Sequence, residues 1–141
     1  MKILEKHLYK RIREFLESKG FKVFYEVPIC KLSRARVDVI GFREYDCNVV
    51  AVEVKLRNYR RALYQALLRS TFADYVFIAF PERYAKRVYT NYASELYTYH
   101  VGLISIGRRV RVLVQPEKSP LLDESSKMYI VAMIMKDLMR E

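Results

Sequence analysis

Glu53 and Lys55 stand two residues apart in the run Val49-Val50-Ala51-Val52-Glu53-Val54-Lys55-Leu56, which otherwise reads as a valine-rich, central β-strand over residues 49–56. Side chains two apart on a strand leave from one face, about 7 Å apart along the chain. Val50, Val52, Val54 and Leu56 then take the opposite face into the core. A charge on the inner half of such a strand is costly unless it is paired or ligated. Asp38 lies in a second expected strand, residues 36–42, joined to the first by a hairpin turn at residues 44–48. The hairpin allows the Asp38 carboxylate to converge on Glu53. Two carboxylates at close range repel, and a divalent cation is the simplest way to keep both ionised. A solvated strand face with an ordinary Glu–Lys pair also accounts for Glu53 and Lys55 taken alone. The hairpin partner Asp38, an acid on the preceding helix and the basic start of the following one favour a site.

The elements that must position these groups follow from periodicity and punctuation. Leu4, Leu8, Ile12, Phe15 and Leu16 recur at helical spacing, and Gly20 supplies a stop. At 100° per residue Glu5 falls on the stripe of Leu8, Ile12 and Leu16, whereas Glu14 and Glu17 point away. Near the chain start, Glu5 is also a candidate helix-dipole partner in solvent. Residues 21–27 alternate as a strand that Pro28 ends. After the hairpin come a helix over 59–71, a buried strand over 75–80, a Tyr-rich helix over 82–96, strands over 101–106 and 110–114 and a linker at 116–120. A last helix spans 124–140, and its centre, Met128-Tyr129-Ile130-Val131-Ala132-Met133-Ile134-Met135, is apolar on all sides. Such a helix must be buried within the fold or against another subunit, which makes a homodimer through residues 124–140 an expectation. The order α-β-β-β-α-β-α-β-β-α describes one α/β domain over residues 1–141, with a mixed central sheet flanked by helices.

The set Asp38, Glu53-Val54-Lys55 and the helical run Arg61-Ala62-Leu63-Tyr64-Gln65-Ala66-Leu67 resembles the PD-(D/E)xK nuclease superfamily. The resemblance covers residues 1 to about 80, with Val37 in place of the motif's Pro. It implies a restriction-endonuclease-like αβββαβ core, to which the β-hairpin and helix of the last third are added. It further implies that Asp38, Glu53 and the Val54 carbonyl hold Mg²⁺ or Mn²⁺, that Lys55 and Gln65 join them in catalysis, and that Glu5 completes the metal site. The implied reaction is metal-dependent hydrolysis of phosphodiester bonds, with DNA the expected substrate. A non-catalytic nucleic-acid-binding or assembly module on the same scaffold is the alternative.

Composition agrees with a polyanionic partner. The 141 residues carry 26 Lys and Arg against 16 Asp and Glu, a formal net charge of +10, and such an excess favours phosphate backbones. Lys31, Arg34 and Arg36 precede Asp38, and Arg57, Arg60 and Arg61 follow Lys55; both groups are candidate nucleic-acid contacts. Arg108, Arg109 and Arg111 form a third basic group. Of the twelve tyrosines, Tyr84, Tyr89, Tyr92, Tyr97 and Tyr99 are candidates for stacking on unpaired bases. Cys30 and Cys47 are isolated, and His7 and His100 lack zinc-ligand spacing, so a zinc site is not expected. No apolar run approaches a membrane span and no signal-peptide core opens the chain, so a cytoplasmic protein is expected. The scarcity of Asn and Gln fits a thermophile composition.

Overall fold

The computed structural model describes residues 4–29 and 34–140. Cys30 and the expected nucleic-acid contact Lys31 lie outside them. The elements are α1 (Lys6–Glu17), β1 (Lys22–Pro28), β2 (Arg36–Arg43), β3 (Asn48–Val54), α2 (Tyr59–Arg69), β4 (Tyr75–Pro81), α3 (Glu82–Thr98), β5 (Gly102–Ile106), β6 (Val110–Val114) and α4 (Glu124–Arg140). The six strands form one mixed sheet in chain order. Strands β1, β2 and β3 run antiparallel, β3, β4 and β5 parallel, and β5 and β6 antiparallel. A parallel neighbour requires a crossover, and α2 and α3 provide the two that this sheet needs.

The helices are divided unequally between the faces. Tyr9, Ile12 and Leu16 of α1 pack on Val39, Val50, Val52 and Val54 on one side. Helices α2, α3 and α4 cover the other through Ala62, Ala66, Val88, Leu96, Ile130 and Ile134. Gly20, at φ 90°, reverses the chain after α1 in a conformation that a side chain would strain. This lets Phe21 return its N–H to the Leu16 carbonyl at 3.2 Å.

One sequence expectation is corrected here. Strand β3 ends at Val54 and is buried on both faces, with Val49 and Ala51 facing the three-helix side. Leu56 therefore lies in the bend beyond the strand rather than on its core face. Helix α4 is covered on one side only: Lys127, Ile130, Val131 and Ile134 are buried, while Met128, Tyr129, Met135 and Met139 are exposed. Among the described residues no helix is long and apolar enough to cross a membrane.

Candidate active site

The hairpin of β2 and β3 opens at one end. Backbone pairing between the two strands runs from Arg43 opposite Asn48 to Val39 opposite Val52 and stops there. Beyond that point side chains replace the ladder. The Asp38 N–H donates to Glu53 Oε2 at 3.1 Å, and the Val54 N–H donates to Asp38 Oδ2 at 2.8 Å. Each carboxylate thus fills the gap that the parting strands leave, which fixes both acids side by side. On β1, Glu26 lies between the partners of Val37 and Val39 and has φ 50°, a left-handed conformation. That costs a non-glycine residue roughly 1–2 kcal/mol, and strain of this kind persists where surrounding structure enforces it. The far side of β3 stays anchored: Glu53 and Val54 pair with Ile78 and Ala79 of β4, and the Lys55 N–H reaches the Ala79 carbonyl at 3.0 Å.

Three cationic or donor groups surround the acids. Arg69, at the end of α2 and 4 % exposed, places a guanidinium nitrogen 3.1 Å from Glu53 Oε1 and 3.1 Å from the Arg36 carbonyl. Lys55 Nζ lies 4.0 Å from Asp38 Oδ2. From the opposite face, the Tyr9 phenol lies beside Asp38; its own burial and then that negative charge hold it well above the ordinary phenol range, so it keeps its proton next to the carboxylate. Glu53, only 1 % exposed, is pushed up to about 7, first by burial and then by the Asp38 charge, with Arg69 opposing.

The other expected site residues are placed less tightly. Gln65 lies one turn before Arg69 on α2, and its side-chain oxygen is buried without a hydrogen-bond partner. Glu5 is half-buried at the start of α1, close enough to act on Tyr9 but not grouped with the two acids. Arg34, Arg36, Arg57 and Arg61 are exposed. Arg60 is committed elsewhere: it pairs with Glu95 at 2.9 Å and lies over the Tyr59 and Tyr92 rings. Of the tyrosines, Tyr92 stacks on Tyr59 at 4.1 Å, and Tyr84 packs on Phe80 and caps α2 by accepting the Tyr59 N–H at 2.9 Å. Tyr89, Tyr97 and Tyr99 are exposed. Asn58 also caps α2; its φ of 72° and its acceptance of the Arg61 N–H turn the chain from Lys55 into the helix.

A hard divalent cation fits this donor set. Mg²⁺ is commonly held by one or two carboxylates, with waters and substrate phosphates completing the octahedron. Asp38 and Glu53 supply the two carboxylates, and a bound cation would offset the burial and the Asp38 charge that raise Glu53. Among the described residues no group of three or more His, Cys, Asp and Glu forms, so Glu5 adds no third carboxylate. Tyr9 and Arg69 are the members that sequence reasoning missed. Their signals are helical phase: Tyr9 is four residues after Glu5 and shares the stripe of Ile12 and Leu16, and Arg69 is four after Gln65. Compared with protein-family models, curated proteins and solved structures, the chain matches none of them.

Proposed function

We propose that this protein is a metal-dependent nuclease of the PD-(D/E)xK kind, hydrolysing phosphodiester bonds of DNA. The observation that carries this reading is the reciprocal placement of Asp38 and Glu53 where β2 and β3 part, with Lys55 against Asp38. The element order α1-β1-β2-β3-α2-β4 supports it, because this is the αβββαβ succession of that fold.

Asp38, Glu53 and the Val54 carbonyl would hold Mg²⁺ or Mn²⁺. When bound, such a cation supplies positive charge to a phosphoryl oxygen and lowers the pKa of a water. The protein's own groups do the rest. Tyr9, protonated beside Asp38, is placed to donate to its carboxylate. Arg69 holds one oxygen of Glu53 and so fixes the direction of its other lone pairs. Lys55 places a cation beside the phosphate, where negative charge grows as the attacking oxygen bonds to phosphorus, and it helps to hold the attacking water. Gln65 offers an unsatisfied acceptor to that water or to the substrate. Burial of Glu53 excludes bulk water from one side and strengthens each of these interactions.

The test is cleavage of labelled single-stranded, duplex and branched DNA with Mg²⁺ or Mn²⁺, beside EDTA and an Asp38→Ala control. Metal-dependent products lost in Asp38→Ala are expected. Cleavage undiminished in that variant overturns the site, and salt-sensitive binding without turnover on any substrate assigns the fold to the non-catalytic alternative.

A further inference from the structure

A second basic locus lies on the same edge of the sheet as the proposed active site. Strands β3, β4 and β5 are parallel, so their carboxyl ends, at Val54, Pro81 and Ile106, share one edge. Strand β2 runs antiparallel to β3 and brings Asp38 to that edge as well. The turn after β5 carries Arg108 and Arg109, and Arg111 follows in β6, opposite Ser105. All three arginines are exposed, and they line a concavity of 390 Å³ together with Lys86 and Glu82 of α3. Glu82 pairs with Lys86 at 2.9 Å, and its carboxylate also reaches toward the Gly107 turn and the Arg111 charge. Among the described residues no salt bridge occupies Arg108, Arg109 or Arg111, in contrast to Arg60, Arg69 and Arg43.

The turn is also held in place. Gly107 N–H reaches the Arg109 carbonyl at 3.2 Å, and Arg11 of α1 donates to the Arg108 carbonyl at 3.1 Å. Arg11 stands two residues after Tyr9, which lies beside Asp38, so one helix adjoins the acid and holds the arginine turn. Two to four strand spacings separate β2 and β3, which carry the acids, from the end of β5 and β6, which carry the arginines, about 10–20 Å. That is the axial rise of about three to six base pairs of B-DNA. Guanidinium forks match phosphate oxygens in pairs, and a converging set in a concavity suits a backbone better than a single ion.

We propose that Arg108, Arg109 and Arg111 grip the sugar–phosphate backbone of the same nucleic-acid strand whose scissile phosphate lies at Asp38 and Glu53. This rests on the nuclease reading for its substrate. The cradle contributes affinity and register rather than base recognition.

The experiment is fluorescence anisotropy of an end-labelled DNA duplex in EDTA, over a range of salt concentrations. Wild type is compared with an Arg108→Ala, Arg109→Ala, Arg111→Ala triple variant and with the corresponding triple Lys variant. A cleavage assay on wild type and Asp38→Asn runs in parallel. The Ala triple is expected to bind at least about 10-fold more weakly, with a log affinity against log salt slope reduced by about 2–3, whereas the Lys triple keeps the wild-type slope. An unchanged slope in the Ala triple overturns the cradle while leaving the nuclease reading to stand on the Asp38→Asn comparison. An arginine-dependent slope from a wild type that never cuts supports the cradle and removes the nuclease reading. A wild type that binds no DNA overturns the cradle.

Discussion

The two ends of β3 each carry a buried carboxylate paired with a buried cation, and they are built differently. At the start of the strand, Asp74 is fully buried and accepts the Val49 N–H at 2.8 Å. Its two oxygens straddle Lys127 Nζ at 3.1 and 2.9 Å. Its main chain is satisfied as well, by Val49 and Ser119, each at 2.8 Å. At the other end, Glu53 has Arg69 and the Asp38 N–H, but its burial and then the second carboxylate beside it push it upward. Arg69 Nε and the Gln65 side-chain oxygen have no partner. A closed polar network locks α4 onto the sheet. An incomplete one, where two strands part, has donors and acceptors left for a ligand.

The sharpest way to break this comparison is to remove one acid from each end. Asp38→Asn or Glu53→Gln should lower metal-dependent cleavage at least about 1,000-fold, a loss of about 4 kcal/mol in transition-state stabilisation, measured at saturating Mg²⁺. Asp74→Ala should act on stability instead. It leaves the Lys127 ammonium buried without its counter-ion and should cost about 3–4 kcal/mol in urea unfolding. Metal-free Glu53→Gln keeps an oxygen acceptor for Arg69, with Asp38 still beside it, and should cost clearly less in the same assay. If Glu53→Gln destabilises as much as Asp74→Ala does, the two ends are both structural and the contrast is lost.

The pH dependence of stability sharpens the contrast further. Glu53 moves from 4.5 up to about 7 on folding without metal, so the folded state binds its proton more tightly than the unfolded state does. The contribution is fully present below 4.5 and is lost as pH rises through 7. Metal-free protein should therefore lose on the order of 3 kcal/mol across that window, and Glu53→Gln should flatten the profile. A wild-type profile that already matches that of Glu53→Gln would falsify the account of Glu53. The smallest effect belongs to Arg69→Lys, which keeps the charge but loses the fork between Glu53 and the Arg36 carbonyl. It should weaken Mn²⁺ binding about 10-fold.

Much of this architecture was legible in the residues, and what was not has a common cause. The valine-rich run with Glu53 inside it, the Asp38 strand before it and the turn between them follow from alternation and turn chemistry, which are local. Residues 110–114 and 124–140 were readable for the same reason. Tyr9 and Arg69 were not read as members of the site because an arginine near a helix end and a tyrosine among apolar residues each suit an ordinary role. Only the approach of α1 and α2 to opposite faces of the sheet brings them to Asp38 and Glu53. Residues 128–135 are apolar all round, yet α4 is covered on one side only; the pairing of Lys127, at its first turn, with Asp74 spans 53 residues and leaves no local signature. The length of β3 was overestimated because Leu56 continues the alternation; the Asn58 cap, with its left-handed backbone, turns the chain instead.

The central claim is that Asp38 and Glu53 together bind a catalytic divalent cation. Its most direct test is a Mn²⁺ titration followed by electron paramagnetic resonance, on wild type and on folded Asp38→Asn and Glu53→Gln variants. Saturable binding to the wild type, weakened at least about 10-fold in each variant, is the expected result. Equal Mn²⁺ binding by all three proteins, or none by the wild type, contradicts it.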